Sequence, residues 1–172
     1  TIAPVREAAS LAQRVGAKVF IDAVQTFGTL PVRVDDLGAD LLAVSAHKVY
    51  GPKGAGALYI RAGTDVSPLV VGGGQEREMR AGTENTAAIV GFAAAVRAFP
   101  RLEEQPERFP AAQAFLRELA DPACITVPEL TTLPGHAHLW FPGISAESLL
   151  IRLDREGVSA SAGAACSAGS LE

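Results

Sequence analysis

The sequence predicts an α/β fold, in which helices cover both faces of a mainly parallel sheet. Three short apolar runs indicate strands, at residues 18–22, 41–44 and 57–60. These runs are continuously apolar rather than alternating, which is typical of strands that are buried on both faces. Apolar residues make up 48% of the 172 residues and charged residues 20%, which is the composition of a globular protein.

One helical pattern precedes these strands, and three follow them. They are predicted at residues 4–16, 85–98, 111–119 and 145–157. Pro4 suits a first helical position, and Gly16 suits a helix end. Thr83 is a candidate cap for the second helix, and Ser145 for the last one.

A change of composition predicts a domain boundary. Residues 100–110 contain three prolines among Arg and Glu residues, so we expect one domain over 1–100 and a second over 101–172. The second domain would contain strands at 124–127 and 138–141, and a possible short strand at 158–161. Residues 161–170 are all small, which predicts a mobile loop around Cys166.

Charge and cysteine content exclude several classes of protein. The net charge of −4 argues against a broad nucleic-acid-binding surface. No uninterrupted apolar run is long enough to predict a transmembrane helix. Two cysteines are too few for a disulfide scaffold, so free thiols in a reducing compartment, the cytoplasm, are expected.

Because Thr1 is neither an initiator methionine nor part of a signal segment, we expect the chain to begin inside a longer protein.

Chemically capable side chains follow two of the predicted strands. Asp22 ends the first strand, and Ser45, His47 and Lys48 end the second. In open α/β sheets, ligands bind at the carboxyl ends of the strands, so these groups could bind an anion and a nitrogen heterocycle together. Alternatively, Asp22 caps a helix and Lys48 is merely solvated. The combination of Asp22-x-x-Gln25 with Ser45-x-His47-Lys48 favours the ligand site.

Several separated motifs resemble the pyridoxal-phosphate-dependent cysteine desulfurases of the class V aminotransferase group. They are V-F-I-D-A-V-Q at 19–25, S-A-H-K-V-Y-G-P-K-G-A-G-A-L-Y at 45–59, G-G-G-Q-E-R at 72–77, R-A-G-T-E-N at 80–85, F-P-G-I-S-A-E-S-L-L at 141–150 and S-A-G-A-A-C-S-A-G-S-L-E at 161–172. The resemblance implies a fold-type I pyridoxal-phosphate transferase. Residues 1–100 would then form the C-terminal half of the large domain, and 101–172 part of the small α+β domain.

The resemblance also implies roles in binding pyridoxal 5'-phosphate. Lys48 resembles the lysine that forms the Schiff base with the cofactor aldehyde. Asp22 resembles the carboxylate that keeps the pyridine nitrogen protonated, which makes the ring an electron sink. Gln25 resembles the donor to the ring phenolate oxygen.

Phosphate binding is implied for three further residues. Ser45 and His47 resemble phosphate ligands, because they offer a hydroxyl and a ring N–H. Thr83 resembles a phosphate ligand that is supplied by the partner subunit. The implied functional form is therefore a homodimer.

Cys166 resembles the family's nucleophile, which takes sulfur from L-cysteine, releases L-alanine and becomes a persulfide. That sulfur would pass to an iron–sulfur scaffold protein or another acceptor for thiolation. The alternative for Cys166 is a small buried residue, and for Cys124, in an apolar strand, that alternative is favoured.

Other interpretations stay open at this point. A selenocysteine lyase, an aminotransferase or a non-catalytic truncated partner would carry some of the same motifs. His136 and His138 are conceivable metal ligands, but two ligands are weak evidence and no metal site is predicted. The family's ring-stacking histidine and substrate-binding arginine have no match here, so the chain alone is expected to be inactive.

Overall fold

The structure is a computed structural model, and it describes residues 2–99, 118, 132, 133, 136 and 138–163. Its helices are α1 (Val5–Arg14), α2 (Thr86–Ala98) and α3 (Ala146–Arg155), and its strands are β1 (Phe20–Asp22), β2 (Leu41–Ser45) and β3 (Gly56–Ile60). Two 3-10 helices lie at Ala46–Val49 and Gln75–Glu78. No helix in these ranges is both long and apolar enough to cross a membrane.

The three predicted strands form one sheet in the order β1-β2-β3. Strands β1 and β2 are parallel, with Asp22 opposite Ala43. Strands β2 and β3 are antiparallel, with Ser45 opposite Gly56. Residues 46–55 reverse the chain directly between β2 and β3, whereas β1 and β2 are joined by the longer crossover that a parallel pair requires.

The described core lies on one face of this sheet. Ile21 and Leu42 are buried together with Ala23 and Ala39, and Val5 at the start of α1 packs against them. By contrast, Phe20 is 61% exposed and Leu58 51% exposed. The expectation of strands buried on both faces is therefore not met among the described residues, because no described element covers the side chain of Phe20 or Leu58.

Local signals explain most helix boundaries. Pro4 lies at the cap position of α1 rather than within it, and Gly16 follows the helix end with φ +73°. Ser145 caps α3 as predicted, since its Oγ accepts the N–H of Ser148 at 3.3 Å. The prediction that Thr83 caps α2 is wrong. Asn85 caps it instead, accepting the N–H of Ala88 at 3.1 Å, because a cap side chain must lie within three residues of the N–H that it accepts.

Predictions for the second half have different outcomes. Residues 138–141 hold a single bridge position at Leu139 rather than a strand, and 158–161 form no strand, because neither segment builds a ladder of backbone hydrogen bonds. Glu118, within the predicted helix 111–119, is helical. The strand at 124–127, the boundary at 100–110 and most of the loop at 161–170 lie outside the described residues.

An ion-pair cluster links the strand ends opposite to the candidate site. The side chain of Asp40, just before β2, accepts the N–H of Val19 at 2.9 Å and the Lys18 ammonium at 3.1 Å. The N–H of Arg61, just after β3, donates to the Asp40 carbonyl at 2.8 Å. The Val19 N–H and then the Lys18 ammonium lower the pKa of Asp40 below its ordinary value.

Candidate cofactor-binding site

Parallel pairing places the candidate residues at one edge of the sheet. Asp22 ends β1 opposite Ala43, and Ser45 ends β2 two positions further along. The N–H of Ala23 continues the ladder by donating to the Ala43 carbonyl at 3.0 Å. Asp22 and the segment 45–48 therefore leave the sheet together, as the sequence predicted.

A tight turn after β1 holds Asp22 and Gln25. One carboxylate oxygen of Asp22, Oδ1, accepts the N–H of Val24 at 2.9 Å. The carbonyl of Ala23 accepts the N–H groups of Thr26 and Phe27 at 3.1 and 2.8 Å, which closes the turn around the exposed Gln25. Asp22 thus caps a turn, whereas the alternative in the sequence analysis was that it caps a helix. Its Oδ2 accepts no hydrogen bond from the described residues, so one acceptor stays available.

The 3-10 turn after β2 separates anchoring residues from exposed ones. Ala46 and Val49 are buried, at 0% and 1% exposure, whereas His47 and Lys48 between them are exposed. Ser45 Oγ lies 2.7 Å from His47 Nδ1. The buried pair therefore fixes the turn, and the polar side chains point away from the core.

Lys48 is distinguished from Lys18 by its surroundings. Lys18 is held by Asp40 at 3.1 Å. Lys48 makes no ion pair or hydrogen bond with any described residue, so its amine is available for chemistry. Among the described residues, nothing buries Lys48, which is exposed.

Glycines hold the backbone of the Lys48 turn in place. The N–H of Gly51 donates to the Ala46 carbonyl at 2.9 Å, and a Cβ at Gly51 would lie 2.8 Å from that oxygen. A Cβ at Gly56 would lie 2.7 Å from the Val44 carbonyl oxygen. The glycine-rich segment 51–56 is therefore a tight turn into β3.

Helix α2 supports the same turn from outside. A Cβ at Gly91 would lie 3.1 Å from Pro52 Cγ, so the helix lies directly on the loop. The ring of Phe99, just after α2, stacks on Tyr50 with centroids 5.7 Å apart. Tyr50 has a left-handed φ of +62°. Gly91 and the other small residues of the helix predict close packing, but they do not identify Pro52 as the contact.

Thr83 is the third residue that the resemblance implies as a phosphate ligand. It is exposed on the segment that leads to α2. Within the described ranges it makes no hydrogen bond with Ser45 or His47. Cys124 and Cys166 lie outside the described residues, so the structure does not place either thiol.

The described residues fit a pyridoxal 5'-phosphate. A hydroxyl paired with an imidazole suits a phosphate, a carboxylate with an available oxygen suits a pyridinium N–H, and an unpaired primary amine suits an aldehyde.

His136 and His138 are exposed. Among the residues searched, no group of three metal-ligating side chains comes together.

Comparison with known proteins agrees with this chemistry. The Aminotransferase class-V family matches residues 1–172. A protein named cysteine desulfurase IscS from Dictyoglomus turgidum is 45% identical over 177 residues, which cover 100% of this chain and 45% of that protein. The chain therefore spans about half the length of this relative.

Solved structures share the fold. A NifS-like protein is 35% identical with a TM-score of 0.79, and the match covers 92% of this chain and 45% of that one. The protein SspA, solved in complex with cysteine, is 32% identical with a TM-score of 0.74, over 96% of this chain and 46% of that one. The predicted α/β, fold-type I class is thereby confirmed. The chain belongs to the class V aminotransferase family.

Proposed function

We propose that the protein to which this chain belongs is a pyridoxal-phosphate-dependent cysteine desulfurase, which converts L-cysteine to L-alanine and carries the sulfur as a persulfide. The observation that carries the proposal is the meeting of Asp22, Ser45, His47 and Lys48 at one sheet edge. Relatives named cysteine desulfurase support the substrate. Residues 1–100 would belong to the large domain and 101–172 to the small one.

Asp22 and Gln25 would orient the cofactor ring. Asp22 Oδ1 is engaged by Val24, so Oδ2 would accept the ring N–H and hold that proton. When bound, the cofactor supplies an electron sink that is strongest while its ring nitrogen is protonated. Gln25, held on the same turn, would donate to the phenolate oxygen. Lys48, whose amine has no competing partner among the described residues, would bind the cofactor covalently.

The Ser45–His47 pair would offer a hydrogen-bond donor to an anion in either tautomer of the histidine ring. If the Ser45 hydroxyl donates to Nδ1, His47 keeps an N–H at Nε2 as a donor. If Nδ1–H donates to Ser45, the hydroxyl proton becomes free to donate.

Cys166 would perform the sulfur transfer. Its thiolate would attack the substrate sulfur, the carbon–sulfur bond would break, and its electrons would remain with the carbon that becomes alanine. The persulfide would then pass its outer sulfur to an acceptor, such as an iron–sulfur scaffold protein in the cytoplasm. Thr83 would bind the phosphate of a second subunit in a homodimer.

Covalent trapping in the full-length enzyme tests the proposal. Borohydride reduction followed by peptide mapping should place the cofactor on Lys48. Lys48→Ala should lose the visible absorbance of the bound cofactor and the production of alanine from cysteine. Lys18→Ala is the matched control, because Lys18 is held in an ion pair at the opposite edge. A cofactor adduct on Lys18 or Lys53 would contradict the assignment.

A further inference from the structure

The segment before Thr83 forms a loop that closes on itself. The N–H of Ala81 donates to the carbonyl of Val70 at 3.0 Å. Ala81 is buried, at 7% exposure, and a Cβ at Gly72 would lie 3.1 Å from its methyl carbon. The chain therefore leaves at Val70, turns, and returns to the same place at Ala81, two residues before Thr83.

Gln75 crosses this loop with its side chain. Its Oε1 accepts the N–H of Gly82 at 3.2 Å, across seven residues of sequence. A Cβ at Gly73 would lie 2.6 Å from that same Oε1 atom, so only glycine at position 73 leaves room for the amide. Gln75 thus contacts the Ala81–Gly82 peptide, which lies one peptide before the Gly82–Thr83 peptide.

The backbone of this loop has an uncommon conformation. Glu76, Arg77 and Glu78 have φ values of +49°, +58° and +65°, which is an uncommon conformation for residues with side chains. Gly82 has φ +101°, so its own backbone preference does not select this orientation. The Ala81–Gly82 peptide is held by two side chains, since Arg80 Nη1 donates to the Ala81 carbonyl at 2.9 Å and Gln75 Oε1 accepts the Gly82 N–H at 3.2 Å.

We propose that Gln75 is a positioning residue, which holds the Gly82 peptide so that Thr83 is presented to a cofactor phosphate. On the other side of Thr83, Asn85 caps α2 by accepting the N–H of Ala88. Thr83 thus lies between two fixed points while its own side chain stays exposed. The inference rests on the proposed function, in which Thr83 is a phosphate ligand.

The affinity of the cofactor-free, full-length enzyme for two ligands tests this role. Pyridoxal 5'-phosphate and pyridoxal differ only in the phosphate. Gln75→Ala should weaken binding of the phosphorylated ligand about fivefold, the effect of losing one hydrogen bond, and leave pyridoxal binding unchanged. Gly73→Ala should have the same effect, because it displaces the amide while keeping Gln75. Gln13→Ala is the matched control, since Gln13 makes a similar 3.2 Å bond, to the Gly38 carbonyl, in another part of the fold.

A double-mutant cycle shows whether Gln75 acts through Thr83. If it does, Gln75→Ala combined with Thr83→Ala binds pyridoxal 5'-phosphate no more weakly than Thr83→Ala alone. Additive losses, or equal losses for both ligands, would overturn the inference. If Thr83→Ala weakens phosphate-dependent binding and neither Gln75→Ala nor Gly73→Ala does, the inference alone is wrong. If Thr83→Ala has no phosphate-dependent effect, the proposed role of Thr83 fails as well.

Discussion

Gly28→Ala should destabilise the protein strongly, for two separable reasons. Gly28 has φ +83°, a conformation that costs an L-residue about 1–2 kcal/mol. A Cβ there would also lie 2.9 Å from both Phe99 Cε1 and Val49 Cγ1. Such overpacking costs about 1–3 kcal/mol, so the total loss should be about 2–5 kcal/mol.

Gly54 provides a control that removes one of the two terms. Its φ is also +83°, but a Cβ there would meet nothing within 4 Å. Gly54→Ala should therefore lower the unfolding free energy only by the cost of the left-handed backbone, about 1–2 kcal/mol. Gly63, with φ +80° and the same open surroundings, repeats the control away from the Lys48 turn.

Urea unfolding of the full-length, cofactor-free protein measures both terms. The difference between Gly28→Ala and Gly54→Ala isolates the contact with Phe99 and Val49. Equal losses of unfolding free energy for the two variants would refute the packing that the structure places around Gly28.

Three further predictions concern stability. Because the fold lowers the pKa of Asp40, its contribution is present at neutral pH and is lost as pH falls through the folded-state value. Asp40→Asn should accordingly destabilise at pH 7 and flatten the acid limb of a stability–pH curve, and an unchanged curve would contradict this. Arg77→Gly should stabilise by about 1 kcal/mol because it relieves a left-handed residue, whereas Arg97→Gly, in α2, should destabilise by up to about 1 kcal/mol. Thermal unfolding would reveal the opposite signs. Asn85→Ala should lower the unfolding free energy by about 1 kcal/mol because it removes the α2 cap, whereas Thr83→Ala should leave it unchanged. A loss for Thr83→Ala and none for Asn85→Ala would show that Thr83 is the cap.

The elements were predictable where a local rule decides them. Apolar runs predict β1, β2 and β3, and Ser145 predicts the start of α3, because period, length and capping are local properties. The cap of α2 was not predictable in the same way. Thr83 and Asn85 are both good cap residues, and only the position of the first helical turn decides between them. Burial was also misjudged, since the exposure of Phe20 depends on what lies against the sheet and not on the strand itself.

The residues of the candidate site could be identified from the sequence, but the residues that support their backbone could not. Asp22 and Lys48 were identified from their places after strands, and parallel pairing brings those places to one edge. Nothing local in the sequence shows that Phe99 would stack on Tyr50, because that contact depends on how α2 lies on the sheet. The hydrogen bond from the Gly82 N–H to Gln75 could not be predicted either, because it requires the left-handed turn between these residues.

The geometry of the site depends on residues that have no chemical role of their own. Lys48 is exposed, yet its turn is fixed by the buried Val49 and by a glycine contact at Gly51. Thr83 is exposed, yet it lies between the Ala81–Gly82 peptide, which Gln75 contacts, and Asn85, which caps α2. An exposed side chain is free to contact a ligand only if something else fixes its backbone. Substitutions at such supporting positions should therefore change cofactor affinity without removing any group that touches the cofactor.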